Sequence, residues 1–431
     1  MSFSINIKPL QFSLALIAST AAAEPVSFKA DIAPILLEKC QSCHGPNKAK
    51  GKYRVDTYQY TIEAGGAEIH YRVSTDDEDD VMPPDADPLS PQQIALFQRW
   101  MDEGAKFDGN DQNATLASIV PRITHPDPPE TYARAIPITA LAFTPDSQQL
   151  LVSGYREIMT WSVADSKLLA RISNLPERIH SIDFHPNGKL IAVAGGNPGK
   201  LGEVRVFEFP NGDLLEILHP SEDLCFSAAF NPDGTKLATC GADGEVHIYR
   251  AENWSLEHVF SNHSDWINEV TWNSDGSKIA TASRDRTAKV FDVVNKTRLT
   301  SYTGHEKNVH SVRFHPLADN DMYSSGEQGR VMRWRINDGG TIREQFRLGA
   351  PVYQLATVLS SRQLPALSGV EIAQVGFEGD GRKHLPVETR DLTSMAISSD
   401  GELVAAGARD GTIRIWNPES NEVIAEFLAK P

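Results

Sequence analysis

Phe230-Asn231-Pro232-Asp233-Gly234, followed at once by Lys236-Leu237-Ala238-Thr239, is one copy of a unit that recurs through the C-terminal two thirds of the chain. An apolar residue closes a strand, Pro-Asp-Gly reverses the chain, and an alternating strand returns. Equivalent places are held by Phe143-Thr144-Pro145-Asp146, Phe184-His185-Pro186-Asn187-Gly188, Trp272-Asn273-Ser274-Asp275-Gly276, Phe314-His315-Pro316 and Ile397-Ser398-Ser399-Asp400-Gly401. Successive steps are 41, 46, 42, 42 and 83 residues. The last is a double step, which predicts a degenerate sixth copy whose first strand is Val352-Tyr353-Gln354-Leu355. The longer second step contains an insertion, Gly195-Gly196-Asn197-Pro198-Gly199. A period of roughly 40 to 45 residues with four short strands per unit is the mark of a propeller blade, and seven blades are expected over 138–431.

Within a unit, a turn carrying Asp243, Asp285 or Asp410 follows the second strand, and the third strand ends in Tyr249, Phe291, Trp334 or Trp416. Together with Gly304-His305 these residues resemble the WD-repeat family over 138–431, although most Trp-Asp endings are altered, as in Trp416-Asn417. His263, His305 and the turn aspartates are expected to hold blades together by buried hydrogen bonds. The last repeat contains its own outer strand, Val423 to Phe427, which leaves the closure of the ring open. Cys225 and Cys240 flank the Pro232-Asp233-Gly234 turn on adjacent strands, either as buried small apolar residues or as a disulfide.

The N-terminal third carries different chemistry. Cys40-Gln41-Ser42-Cys43-His44 is the C-x-x-C-H pattern of covalent haem c attachment. On a helix these positions share one face, so both thiols can meet the haem vinyl groups while His44 ligates the iron. A zinc site lacks two further ligands at suitable spacing, and a thioredoxin-like pair lacks its βαβ context. Phe28 to Cys40 reads as a helix capped by Asp31, with Pro34 in its first turn, and Gly45-Pro46-Asn47 ends it. A second helix starts at Ser90-Pro91 and runs through Phe97 and Trp100 toward Gly104, these two aromatics being core residues near the porphyrin edge. Met82, in Asp80-Val81-Met82-Pro83-Pro84, is the expected sulfur ligand, and His70 is the competing nitrogen ligand.

Phe28 to Leu36, the haem motif, Lys50 to Asp56, Met82-Pro83-Pro84 and Arg99 to Ala105 resemble the planctomycete-type cytochrome c domain. The resemblance implies attachment at Cys40 and Cys43, His44 as proximal and Met82 as distal ligand. Lys52 departs from it, standing where the family has the second glycine of Lys-Gly-Gly.

The expected organisation is therefore a signal peptide (1–23), a small all-α cytochrome c domain (24–109), a Pro-rich linker (110–137) and an all-β seven-bladed WD-repeat propeller (138–431). Lys8, the apolar Phe12 to Ala18 and Ala21-Ala22-Ala23 suggest export with cleavage near Ala23, hence a periplasmic protein, and no further membrane span is expected. A net charge of -16 argues against nucleic acid. The run Asp76 to Asp80 is a solvated loop or an acidic rim that steers a basic redox partner. The residues suit an electron carrier whose propeller docks a redox protein; a peroxidase- or oxidase-like haem enzyme and a haem-based redox sensor are the alternatives.

Overall fold

The computed structural model describes residues 25–46, 48–63, 65–75, 77, 79–84, 88–120, 124–387 and 391–431; residues 1–23, expected from sequence to be a signal peptide, lie outside them. The chain separates into two compact units, one ending at Ile123 and the other running Thr124–Pro431.

The first unit is helical. A run of successive turns, Phe28–Ile32, Ala33–Ile35, Leu36–Cys40 and Gln41–His44, leads into the cysteine motif. Its cap is Ser27, not Asp31. The Ser27 Oγ accepts from the Ala30 N–H at 2.9 Å, and the Ser27 N–H donates to Asp31 Oδ2 at 2.8 Å. The earlier start puts Pro34 inside the helix, where it has no N–H to give. The helix passes it in widened turns, with Ala33 N–H bonded to the Phe28 carbonyl and Gln41 N–H to that of Leu36. Phe28, Ile32, Ala33 and Leu36 are fully buried, together with Phe97 and Trp100 of the Pro91–Asp102 helix. That helix opens with the expected cap: Ser90 Oγ accepts from Gln93 N–H, and Gln93 Oε1 accepts from Ser90 N–H. Three short helices, Tyr58–Glu63, Gly66–Ser74 and Leu116–Ile119, are also part of the unit; none was expected from sequence.

The second unit is an all-β propeller of seven four-stranded antiparallel sheets, at 141–172, 178–221, 225–260, 267–302, 309–347, 352–385 and 392–428. Each sheet consists of four consecutive strands, and the sixth begins with Val352–Leu355. The insertion in the second blade extends its middle hairpin to two eight-residue strands, Leu190–Asn197 and Leu201–Glu208.

One apolar core lies between each adjacent pair of blades, and side chains of the innermost strands stitch the pairs together by bonds to backbone. Asp183 Oδ2 accepts from Phe230 N–H (2.8 Å), Glu269 Oε2 from Val312 N–H (2.9 Å) and Ser311 Oγ from Leu355 N–H (3.0 Å). Gln354 exchanges two bonds with Met395, both at 2.9 Å. The ring closes in the same way, with no strand shared between the ends: Thr393 and Ser394 of the last blade both donate to the Ile138 carbonyl.

The stretch expected to be a linker contributes to both units. Leu116 is fully buried in the first core, while Tyr132 bonds the buried Glu157 of the first blade.

Candidate functional site

The helix ending at His44 turns Cys40, Cys43 and His44 toward a cavity of about 270 Å³ in the first unit. Gly45 makes the helix end possible: a Cβ there would stand 2.6 Å from the Gln41 carbonyl oxygen. The Gly66–Ser74 helix supplies Ile69, Arg72 and Val73, which share one face by their spacing. Met82 and Pro84 close another side, and Leu36 and Val55 complete an apolar lining. An adjoining cavity of about 210 Å³ is bounded by the same two thiols, imidazole and thioether.

All four cysteines are free thiols. Burial, with a smaller contribution from Cys43, pushes the Cys40 thiol up to about 11. His44 Nδ1 is buried and has no hydrogen-bond partner among the described residues, so this imidazole is not spent on the protein's own network. The ring meets Tyr53 edge-on at 6.5 Å between centroids. The Met82 N–H donates to the Arg72 carbonyl at 2.8 Å.

Cys40, Cys43, His44 and Met82 thus line one cavity. His70 does not line it: it sits on the Gly66–Ser74 helix, one position off the face that does, and not in a strand or loop. Phe97 and Trp100 are core residues as expected but are absent from the cavity wall; Trp100 packs on Phe28 at 5.4 Å. Tyr53, Ile69 and Arg72 of the wall were not singled out in the sequence. The spacing of Ile69, Arg72 and Val73 held the only signal for two of them.

In the propeller, His263 bonds Asp285 and Thr281, each at 2.7 Å, and His305 bonds Ser324 at 2.8 Å. Trp334 Nε1–H donates to the same serine. Asp243 pairs with His219, a histidine missed in the sequence because Leu218-His219-Pro220 lacks the preceding glycine. Among the described residues Asp410 bonds within its own turn, accepting from Thr412 N–H. His219, Asp243 and His247 bring three metal-ligating groups together. The His219 and His247 rings, however, are stacked at 3.8 Å and nearly parallel, 11° apart. Lone pairs of parallel stacked rings do not converge on one ion, so the cluster reads as blade structure. Cys225 and Cys240 face different interblade cores, which leaves them as buried apolar residues.

The profile described as WD domain, G-beta repeat matches residues 212–250, 254–292, 296–335 and 382–417. That described as Planctomycete cytochrome C matches residues 40–86. The chain is a WD40 propeller fused to a planctomycete cytochrome c-like domain. The WD40 matches run from the outer strand of one blade to the third strand of the next, and the cytochrome match spans both thiols, His44 and Met82. The chain is also similar to WD repeat and SOCS box-containing protein 1 of Homo sapiens, 29% identical over 118 residues, 26% of this chain and 27% of that one. The Xenopus tropicalis protein of the same description is 28% identical over the same shares. The chain thus spans about a quarter of the length of these curated relatives. No described helix is long and apolar enough to cross a membrane.

Proposed function

We propose that the cytochrome c-like domain carries one covalent haem c and that the protein is an exported electron carrier whose propeller docks a redox partner. The observation that carries this reading is that two free thiols, an imidazole and a thioether line one apolar cavity. Cys40 and Cys43 are the attachment points: each thiol adds across a vinyl double bond, with no leaving group. Bound there, haem supplies a reversible one-electron couple. His44 would hold the iron through its imidazole and Met82 through its sulfur, a pair that favours the reduced state over two nitrogen ligands. Leu36, Val55, Ile69 and Val73 keep water from the site, which further disfavours the more highly charged oxidised state.

With His44 and Met82 both serving the iron, the site would leave no room for a substrate on it. That favours a carrier over a peroxidase- or oxidase-like enzyme or a haem-based sensor. Export through residues 1–23 to the periplasm, with a cytochrome domain over 24–109, a linker over 110–137 and a propeller from 138, belongs to the same reading. The net charge of -16 favours a basic redox partner.

The test is chemical. Protein exported with haem maturation should keep its pigment through acid–acetone extraction and bind carbon monoxide slowly when reduced. Colourless protein, or pigment that extracts, refutes the haem assignment. Rapid carbon monoxide binding refutes the carrier in favour of the enzyme or sensor.

A further inference from the structure

Arg72 touches the Met82 loop twice. Its carbonyl oxygen accepts from the Met82 N–H at 2.8 Å, and its guanidinium Nη1 donates to Asp80 Oδ1 at 2.9 Å. Main chain and side chain of one residue therefore hold both ends of the segment Asp80-Val81-Met82. The guanidinium is itself fixed, because Nε donates to Glu68 Oε1 one turn earlier at 2.8 Å. Tyr71, the preceding residue, adds a weaker bond from its hydroxyl to Asp80 Oδ2 at 3.3 Å. The helix beneath is anchored by Val73, which is buried in the domain core. Arg72 also lines the cavity that Met82 lines.

We propose that Arg72 is a positioning residue for Met82: it ties the methionine loop to the rigid Gly66–Ser74 helix and so sets how often the sulfur leaves the iron. The inference rests on the haem reading above. A ligand on a tethered loop partitions between bound and released states, and any interaction present only in the bound state shifts that ratio. The Arg72 and Asp80 side chains are 34% and 37% exposed, so solvent screens the pair and its share of the shift is modest.

The test compares Arg72→Gln, Arg72→Lys, Asp80→Asn, Arg72→Gln/Asp80→Asn and Met82→Ala in the exported, haem-loaded full chain. Readouts are pigment retained after acid–acetone extraction, the sulfur-to-iron charge-transfer band of the oxidised form, and the carbon monoxide binding rate of the reduced form. Arg72→Gln and Asp80→Asn should each raise the rate about threefold, the scale of a partly exposed ion pair. The double variant should add little to either, and Arg72→Lys should recover part of the effect. A purely structural residue would lower yield or melting temperature without moving the band or the rate. If Met82→Ala abolishes the band while both clamp variants match wild type, the inference falls and the haem reading stands. If Met82→Ala changes nothing, methionine ligation falls and takes the inference with it. Asp80→Asn tests the clamp from the loop side should the arginine variants fail to fold.

Discussion

Ser394 Oγ donates to the carbonyl oxygen of Ile138 at 2.7 Å across 256 residues of sequence. Thr393 Oγ1 donates to the same oxygen at 2.6 Å, so two hydroxyls of the last blade share one acceptor at the start of the first.

That redundancy sets an expectation for stability. Ser394→Ala should cost about 1 kcal/mol, because Thr393 still satisfies the carbonyl. Thr393→Val combined with Ser394→Ala leaves the buried Ile138 carbonyl without its hydroxyl partners, also removes the Thr393 bond to the Gly407 carbonyl, and should cost about 2 to 3 kcal/mol in total. Urea unfolding of the full chain followed by tryptophan fluorescence measures both. Equal losses for the single and double variants would show that the two bonds are not shared in this way.

Asp285 makes acid the natural stress for the fourth blade. Burial works to raise its carboxyl, but hydrogen bonds from His263 and Thr287 and the Lys289 charge outweigh it and hold it well below the usual carboxylate range. A pKa depressed in the folded state gives stability that is fully present above the unfolded value, roughly 4, and is lost as pH falls below it. Wild type should therefore lose stability below about pH 4 more steeply than Asp285→Asn. At neutral pH the same variant should be less stable by about 3 kcal/mol, since Lys289, 3.1 Å from Asp285 and itself buried, loses its counter-charge. Unfolding midpoints across a pH series check both signs.

Gly45→Ala should disturb the thiol-bearing helix end. The added methyl would stand 2.6 Å from backbone, which cannot swing aside, so the turn after His44 must move at a cost of about 1 to 3 kcal/mol. Covalent pigment per protein should fall while propeller unfolding stays unchanged. An undiminished yield would show that the motif tolerates a shifted helix end.

Lys52→Gly should stabilise the segment after the motif. Lys52 has φ +66°, a region where a side chain is strained and glycine is not. The relief, about 1 kcal/mol, is partly offset by the greater freedom of glycine in the unfolded chain. Slower amide exchange is expected at Val55, whose N–H donates to the His44 carbonyl at 2.9 Å. Faster exchange there would contradict the strain.

Much of this architecture was legible in the residues. Turn chemistry repeats in nearly every blade, so the count of seven and the position of the faint sixth copy follow from spacing alone. That Cys40, Cys43, His44 and Met82 belong together was legible because each is chemically distinctive against its surroundings, and they line one cavity. Ring closure was not, because it depends on hydroxyls meeting a carbonyl hundreds of residues away. The Tyr58–Glu63 and Gly66–Ser74 helices are short; Thr57 Oγ1 caps the first by accepting from Tyr60 N–H, but Gly65 gives the second no side-chain cap, so Arg72 at the cavity wall was hidden with it. Asp31 drew the cap assignment from Ser27 because both residues serve the same helix start, one as acceptor for Ala30 and the other as acceptor for Ser27.

Every sheet of the propeller is encoded by one uninterrupted piece of chain. No wedge borrows a ribbon from its neighbour, so duplicating or excising a gene segment of that length would add or remove a whole wedge and leave the others internally complete. The wheel can change its number of spokes by copying, and only the seams between spokes, the hub-side bonds and the apolar contacts, need to be rewritten.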